Sequence, residues 1–197
     1  MRDGFIKVAA GTPHIRVADC RYNAEQIFTL MREADRQGVR VLCLPELCLT
    51  GYTCGDLFLQ DTLLDGAEEG LTTILEATKN LDMVTALGMP VRHEGKLYNC
   101  AAVIHKGELL GYVPKTHLPN YGEFQEARWF RPGPKGGGVG RNEEFIPFGS
   151  NLIFSCETMP NLKIGVELCE DLWGARIPEQ RYFFHFDPLL FKFMPTI

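Results

Sequence analysis

The sequence lacks an excess of basic residues. Its 20 Lys and Arg residues are outnumbered by 25 Asp and Glu residues, which gives a formal net charge of −5. A nucleic-acid-binding surface normally shows as a basic patch or stripe, so nucleic acid is not expected as a partner. With 45% hydrophobic and 23% charged residues, the composition is that of a soluble globular domain. Neither a disordered chain nor a membrane protein is therefore expected.

A secretory signal peptide is not expected, and the cysteines lack a pattern typical of disulfides or zinc. Arg2 and Asp3 lead directly into an apolar segment, and the seven cysteines are an odd number that stands largely within apolar runs. A reducing, cytoplasmic location is expected. Cys43, Cys48 and Cys54 suggest zinc as an alternative, but they lack C-x-x-C spacing and paired histidines, so no metal is expected.

The apolar pattern predicts alternating strands and helices, followed by hairpins. Residues 5–10, 39–44 and 83–89 are expected to be buried strands, and helices are expected over 21–37 and within 61–79. This order predicts an α/β layered domain with a mixed sheet. Further strands are expected at 97–105 and 108–113, as a hairpin around Lys106-Gly107, near Ile146, and at 152–155 and 162–168.

One glycine-rich stretch, RPGPKGGGVG at 131–140, is expected to be only a loop. A phosphate-binding loop is an alternative, but no Gly-Lys-Ser/Thr follows and the stretch does not open a helix after a strand. Residues 136–140 are therefore interpreted as a mobile flap.

The stretch GVELCEDLW places a single thiol, Cys169, among Glu167, Glu170 and Asp171. Nearby negative charge disfavours a thiolate and raises the pKa of the thiol. A reactive cysteine at this position therefore needs a proton acceptor and a cation from elsewhere in the chain.

Two other apolar strands end in proline and a charged residue, at Leu44-Pro45-Glu46 and Val113-Pro114-Lys115. Because sites in open α/β sheets form beyond the carboxyl ends of strands, Glu46, Lys115 and Cys169 are predicted to meet. Glu46 would accept the thiol proton, Lys115 would stabilise a developing oxyanion, and Cys169 would form a thioester. Taken singly, each residue also fits a structural role: a turn carboxylate, a surface lysine and a buried thiol.

Three segments carry a resemblance to a known family: PELCLTGY at 45–52, PKTHLPNYGEFQEARWF at 114–130 and VELCEDLW at 166–173. In this order they resemble the nitrilase superfamily of carbon-nitrogen hydrolases. CLTGYTCGDLFLQDTLL and LPNYGEFQEARWF look like the amino-terminal glutaminase domains of glutamine-dependent NAD synthetases. The resemblance implies a nitrilase-like α-β-β-α sandwich with mixed sheets over residues 1–180, with the carboxy-terminal part of the fold missing.

The resemblance also implies roles for particular residues. Glu46 would be the base, Lys115 the oxyanion stabiliser and Cys169 the nucleophile of a catalytic triad. The family has a second glutamate after the lysine, in a Glu-x-x-x-Phe spacing. In this chain the spacing is matched by Glu126 and Phe130. Alternatively, this glutamate is structural and the aromatic residues of the implied glutamine pocket belong to the core. The implied substrate-binding residues are Tyr52, Tyr121, Phe124 and Glu126.

The implied function is a glutamine amidohydrolase that releases ammonia from glutamine, its expected small-molecule partner. In the family, this ammonia amidates deamido-NAD in a synthetase domain that uses ATP. That domain is not expected in this sequence, so no cofactor is expected for this chain, and the family implies a homo-oligomer. Another amide or nitrile substrate, and a catalytically silent fragment, are the alternatives, because a triad does not name its substrate.

Residues 181–197, RYFFHFDPLLFKFMPTI, depart from the family pattern. Six of these 17 residues are aromatic, and neither a helical nor a strand period is sustained. We expect an atypical tail outside the domain, produced by a frameshift or a premature end of the reading frame.

Overall fold

The computed structural model describes residues 5–141, 144–173 and 189–193. No helix within these ranges is long and apolar enough to cross a membrane. The helices are α1 (Cys20–Arg36) and α2 (Asp61–Ala77), and short 3₁₀ turns cover Gly55–Leu59, Glu126–Arg128 and Cys169–Leu172. The strands are β1 (Val8–Ala10), β2 (Val41–Cys43), β3 (Val84–His93), β4 (Lys96–His105), β5 (Glu108–Pro114), β6 (Gly138–Arg141), β7 (Glu144–Pro147), β8 (Ile153–Cys156), β9 (Met159–Leu168) and β10 (Leu189–Phe193).

Helix α1 begins and ends where its sequence signals predict. The Asp19 carboxylate accepts a hydrogen bond of 3.1 Å from the backbone N–H of Tyr22, which caps the first turn. Gly38 follows the helix with a φ of 76°, a left-handed conformation that glycine adopts without strain. Ala24, Ile27, Met31 and Ala34 lie along one side of α1 and are buried in the core that the helix shares with the sheet.

Strands β1 to β5 form one mixed sheet in chain order. β1, β2 and β3 are parallel, whereas β3, β4 and β5 are antiparallel neighbours. The predicted hairpin is confirmed, since Lys106 and Gly107 have φ values of 49° and 80°, as a type I′ turn requires. A second turn of this kind, at Glu94 and Gly95, joins β3 to β4 and was not predicted.

A second sheet, in the order β10-β9-β8, packs on one face of the first. α1 and α2 cover the other face, so the described layers run helix, sheet, sheet. The predicted α/β class with mixed sheets is confirmed, and the second helical layer of the predicted sandwich lies outside the described residues. The core between the sheets contains Val41, Cys43, Ala86, Ala101, Val103 and Val113 from the first sheet and Ile164, Val166 and Leu168 from β9.

The first strand is shorter and more exposed than predicted. β1 begins only at Val8, and the side chains of Phe5 and Val8 are 81% and 44% exposed. Among the described strands β1 pairs only with β2, so it is an edge strand with little cover. The prediction of a buried strand over 5–10 is wrong, because an apolar run does not distinguish an edge from the middle of a sheet.

The glycine-rich stretch is not entirely a loop. β6 pairs with β7 in antiparallel fashion, with Gly138 opposite Pro147. A Cβ atom on Gly138 would lie 1.9 Å from the ring of Phe145, so glycine makes room for this aromatic side chain. The loop prediction is therefore wrong for 138–140.

The atypical tail contains a strand that its sequence pattern did not predict. The backbone of β10 runs parallel to β9, with Leu189 opposite Ile164 and Phe193 opposite Leu168. A five-residue segment is too short to show a period, and here the edge of β9 provides its hydrogen-bonding partners. The rest of 181–197 lies outside the described residues.

Candidate active site

The three predicted catalytic residues follow strands of two different sheets. Glu46 lies in the turn after β2, Lys115 directly follows β5, and Cys169 directly follows β9. The first two therefore belong to the five-stranded sheet and the third to the smaller sheet packed on it. The lysine ammonium lies 2.7 Å from a carboxylate oxygen, Oε1, of Glu46.

A buried polar cluster surrounds this ion pair. The Lys115 ammonium also lies 2.6 Å from Oε1 of Glu126, so one cation is shared by two carboxylates. The side-chain amide of Asn99 donates to Oε1 of Glu46 and, at 3.5 Å, to Oε2 of Glu126. These four side chains are at most 2% exposed. The hydroxyl of Tyr52 completes the cluster by donating to Oε1 of Glu126 at 2.6 Å.

The two carboxylates differ in how their oxygens are used. Oε1 of Glu126 accepts from both Lys115 and Tyr52. Oε2 of Glu46 is buried and has no hydrogen-bond partner among the described residues. Oε2 of Glu46 is therefore available to accept a proton.

Burial and charge adjust the pKa values of this cluster for proton transfer. Burial is the largest influence on Glu46 and raises its pKa to about 7, although the charge of Lys115 acts in the opposite direction. Burial also opposes the charged form of Lys115, but the two carboxylates outweigh it and raise the lysine pKa. The lysine thus stays an ammonium ion, while Glu46 is poised to exchange a proton near neutral pH.

Cys169 occupies a strained backbone position. It opens the 3₁₀ turn after β9 with a φ of 43°, in the left-handed region that residues other than glycine seldom adopt. Its thiol is partly exposed, and burial raises its pKa more than the charge of Lys115 lowers it. The carboxylates of Glu46, Glu126 and Glu170 raise this pKa further. The thiol is therefore protonated at neutral pH and needs a base.

The acidic residues around Cys169 do not act alike, contrary to the expectation that all three disfavour the thiolate. Glu170 contributes to the raised pKa of the thiol. The carboxylate of Asp171 instead binds Thr116 and His117, the two residues that follow Lys115. Local sequence could not show this, because those donors lie more than 50 positions away along the chain.

The four predicted substrate-binding residues form a row beside this cluster. The ring of Phe124 lies between Tyr52 and Tyr121, with centroid distances of 6.3 and 5.9 Å. Tyr121 is 59% exposed, and its hydroxyl donates to Glu170 at 2.9 Å. The row thus leads from the exposed Tyr121 to Glu126 in the buried cluster. A separate cavity of about 200 Å³ beside α2 contains none of these residues.

Sequence reasoning missed two residues that contact Glu46 or the turn that carries it. Asn99 is an amide within the buried strand β4, and a polar residue in an apolar run was the available signal. Gly88 lies under the turn that carries Glu46, where a Cβ atom would lie 2.2 Å from the backbone nitrogen of Leu47 and 2.5 Å from the carbonyl oxygen of Pro45. A glycine inside a strand often marks such a close backbone approach.

The three cysteines weighed as zinc ligands, Cys43, Cys48 and Cys54, are buried and form no disulfide. Within the described ranges, no group of three or more His, Cys, Asp and Glu side chains is placed to hold a metal ion.

Comparison with known proteins relates this arrangement to a family. The sequence profile named carbon-nitrogen hydrolase matches residues 7–181. The glutamine-dependent NAD(+) synthetase of Mycobacterium leprae is 39% identical over 171 residues, which cover 86% of this chain and 25% of that protein. The chain therefore spans about a quarter of the length of the curated relatives it matches.

Solved structures give the same relationship. The crystal structure of a glutamine-dependent NAD(+) synthetase from Cytophaga hutchinsonii superposes with a TM-score of 0.77 and 33% identity, covering 84% of this chain and 28% of that one. A variant of the amidase from Nesterenkonia sp. AN1 superposes with a TM-score of 0.72 over 96% of this chain and 66% of that one. At 15% identity, the amidase shows only that the fold is shared.

Proposed function

This chain belongs to the carbon-nitrogen hydrolase family, and from that premise we propose that it is the glutamine amidohydrolase module of a glutamine-dependent NAD synthetase. The observation that carries the proposal is the shared lysine. Lys115 binds two buried carboxylates, and its charge partly offsets the rise that burial causes in the pKa of the Cys169 thiol. Oε2 of Glu46 has no hydrogen-bond partner among the described residues. A proton acceptor, a cation and a nucleophile are thus supplied by three separate strand ends.

In the proposed first half-reaction, the sulfur of Cys169 attacks the side-chain amide carbon of glutamine. A C–S bond forms as the thiol proton moves to Oε2 of Glu46, and the oxyanion that develops is stabilised by the ammonium of Lys115. Glu46 then returns the proton to the amide nitrogen, the C–N bond breaks, and ammonia leaves. A thioester between Cys169 and the glutamyl group remains.

In the second half-reaction, water hydrolyses this thioester. The water oxygen attacks the thioester carbon while Glu46 removes a proton from the water, and the C–S bond then breaks. The proton returns to the sulfur of Cys169, and glutamate is released. The sum is glutamine plus water giving glutamate plus ammonia, with the enzyme returned to its starting protonation state.

The relatives suggest what surrounds this module. They are named glutamine-dependent NAD(+) synthetases and are about four times as long as the matched segment. We propose that residues 1–180 form the glutaminase domain and that its ammonia serves a synthetase domain that uses ATP and deamido-NAD. A cytoplasmic location and a homo-oligomeric state belong to the same proposal.

The test uses the 197-residue chain with glutamine, measuring glutamate and ammonia together. Equal release of both is expected, and Cys169→Ala should abolish it, because no other group can form the thioester. Cys156→Ala is the matched control, since Cys156 is the other described thiol that is not fully buried, and this variant should keep full activity. Undiminished release by Cys169→Ala would overturn the assigned nucleophile.

A panel of aliphatic amides, nitriles and carbamoyl compounds tests the specificity. Preference for any of these over glutamine would favour a different amidase, a possibility raised by the fold shared with the Nesterenkonia amidase. A chain that shows folded circular dichroism but neither turnover nor alkylation of Cys169 would instead be a silent fragment.

A further inference from the structure

The carboxylate of Asp171 joins the turn that follows β9 to the segment that follows β5. Asp171 is 2% exposed, and its Oδ1 accepts hydrogen bonds from the backbone N–H of His117 at 2.7 Å and the hydroxyl of Thr116 at 2.6 Å. The backbone N–H of Thr116 lies 3.0 Å from Oδ1 and 3.2 Å from Oδ2. Nδ1 of His117 lies 3.0 Å from Oδ1. Three hydrogen-bond donors and a histidine nitrogen therefore converge on a single buried carboxylate.

The two segments joined in this way carry the proposed cation and the proposed nucleophile. Thr116 follows Lys115 directly, and Asp171 stands two residues after Cys169. The segment with Lys115 is fixed on the first sheet, because its backbone N–H donates to the carbonyl of Asn99 at 2.8 Å. Asp171 therefore links the small sheet to an anchored part of the large one, next to the reacting groups.

The Cys169 turn carries a further, exposed side-chain hydrogen bond, which the Tyr121 hydroxyl donates to Glu170 at 2.9 Å. It is a four-residue 3₁₀ turn without a side-chain cap at Leu168, and it opens on the left-handed Cys169. Strained backbone positions persist only where surrounding contacts hold them. The hydrogen bonds of Asp171 supply such a contact two residues away. They also provide the carboxylate of Asp171 with hydrogen-bond donors from Thr116 and His117.

We propose that Asp171 is a positioning residue, which holds Cys169 at its working distance from Lys115 and Glu46 through Thr116 and His117. This inference rests on the proposed glutaminase function. A displacement of roughly 1 Å between reacting groups costs on the order of 10²-fold in rate, so loosening this link should slow the chemistry rather than weaken binding.

The first test is Asp171→Asn in the full chain. The asparagine oxygen can still accept the hydrogen bonds made to Oδ1, but without the negative charge that strengthens them. The amide nitrogen cannot accept the 3.2 Å hydrogen bond that the backbone N–H of Thr116 makes to Oδ2, so the link is weakened at nearly constant volume. We expect kcat to fall by about tenfold to a hundredfold, with KM changed by less than about threefold. In a Cys156→Ser background, the rate of alkylation of Cys169 by iodoacetamide should fall as well.

A second pair of variants guards against a folding defect in Asp171→Asn. Thr116→Val removes one hydroxyl from the link, whereas Thr116→Ser keeps it and should retain the wild-type kcat. Thr78→Val is the matched control, because the buried Thr78 hydroxyl donates at 2.8 Å to the carbonyl of Ile74 at the end of α2. This control should lower the melting temperature and leave both kcat and alkylation unchanged.

The outcomes separate the two proposals. Wild-type kcat and alkylation rates in both Asp171→Asn and Thr116→Val would overturn the positioning role, whatever happens to stability. Equal impairment of Thr116→Ser and Thr116→Val would overturn it too, since the hydroxyl link would then be irrelevant. If the wild-type chain does not hydrolyse glutamine, the proposed function fails, but the alkylation rates of the same variants still decide the role of Asp171.

Discussion

The two halves of the candidate site are held by different means. On the large sheet, Glu46, Lys115, Glu126 and Asn99 are buried and bond directly to one another. On the small sheet, Cys169 is partly exposed, has a strained backbone, and opens a turn connected to the other half through hydrogen bonds of Asp171. The groups proposed for proton transfer thus pack together beside one sheet, whereas the proposed nucleophile is placed by the packing of two sheets.

This difference shows how a cysteine can be reactive among acidic residues. The thiol keeps a raised pKa and stays protonated until a substrate is attacked. In the proposed mechanism, Glu46, whose own pKa is raised by burial, then accepts the thiol proton, so the proton moves between two groups without a resting thiolate. The nucleophilic half requires accurate placement, and the acid–base half requires the right charge.

The largest effect is expected from Lys115→Met, which disrupts the acid–base half of the site. This change leaves two buried carboxylates without their shared cation, which should cost about 3–5 kcal/mol of stability at pH 7. Glutaminase activity should fall by at least about 10²–10³-fold with the loss of oxyanion stabilisation. The stability loss should shrink as pH falls, because protonation of Glu46, whose pKa is raised by burial, removes part of the uncompensated charge.

Urea unfolding at pH 5 and pH 7, together with the glutamate assay, measures both effects. Lys79→Met is the matched control, since that lysine is 57% exposed and pairs with Glu76 at the end of α2. A Lys115→Met chain as stable as the wild type at pH 7 would show that the two carboxylates do not depend on this cation.

A smaller effect is expected from a variant that displaces Glu46 and leaves Lys115 in place. Gly88→Ala places a Cβ atom against the backbone of the Glu46 turn, 2.2 Å from the nitrogen of Leu47. The clash should cost about 1–3 kcal/mol and lower kcat by about tenfold or more as Glu46 shifts. Gly140→Ala is the control, because nothing lies within 4 Å of its added Cβ. Equal kcat values for the two variants would contradict the positioning of Glu46 by Gly88.

The smallest expected effect is a shift in pH dependence. Glu46 must be ionised to accept the thiol proton, so kcat/KM should rise with pH through about 7, the raised pKa of this carboxyl. The charge of Glu126 contributes to the raised pKa of Glu46, so Glu126→Gln should move the midpoint of the pH profile to lower pH. Glu157→Gln, at an exposed residue, should leave it unchanged. A Glu126→Gln midpoint at higher pH would contradict the assignment of Glu46 as the titrating base.

Much of the framework was predictable because its signals are local. Asp19 precedes α1 and Gly38 follows its end, and Lys106-Gly107 forms the expected turn. These features could be predicted because capping and left-handed conformations depend on nearby residues. The glycine-rich strand β6 and the tail strand β10 were not predictable, because each depends on a partner strand that supplies its hydrogen bonds. The roles of Asn99 and Gly88 could not be predicted either, because they depend on contacts with Glu46 and its turn, which are distant along the chain.

The sequence by itself determined which groups stand at the ends of three strands: a carboxylate at Glu46, an ammonium at Lys115 and a thiol at Cys169. Only the tertiary structure decided which oxygen of Glu46 stays free, which acid near Cys169 raises its pKa, and which one binds the Lys115 segment. The physical reason is that a buried polar group is defined by its hydrogen-bond partners, and here the packing of two sheets brings those partners together from distant parts of the chain.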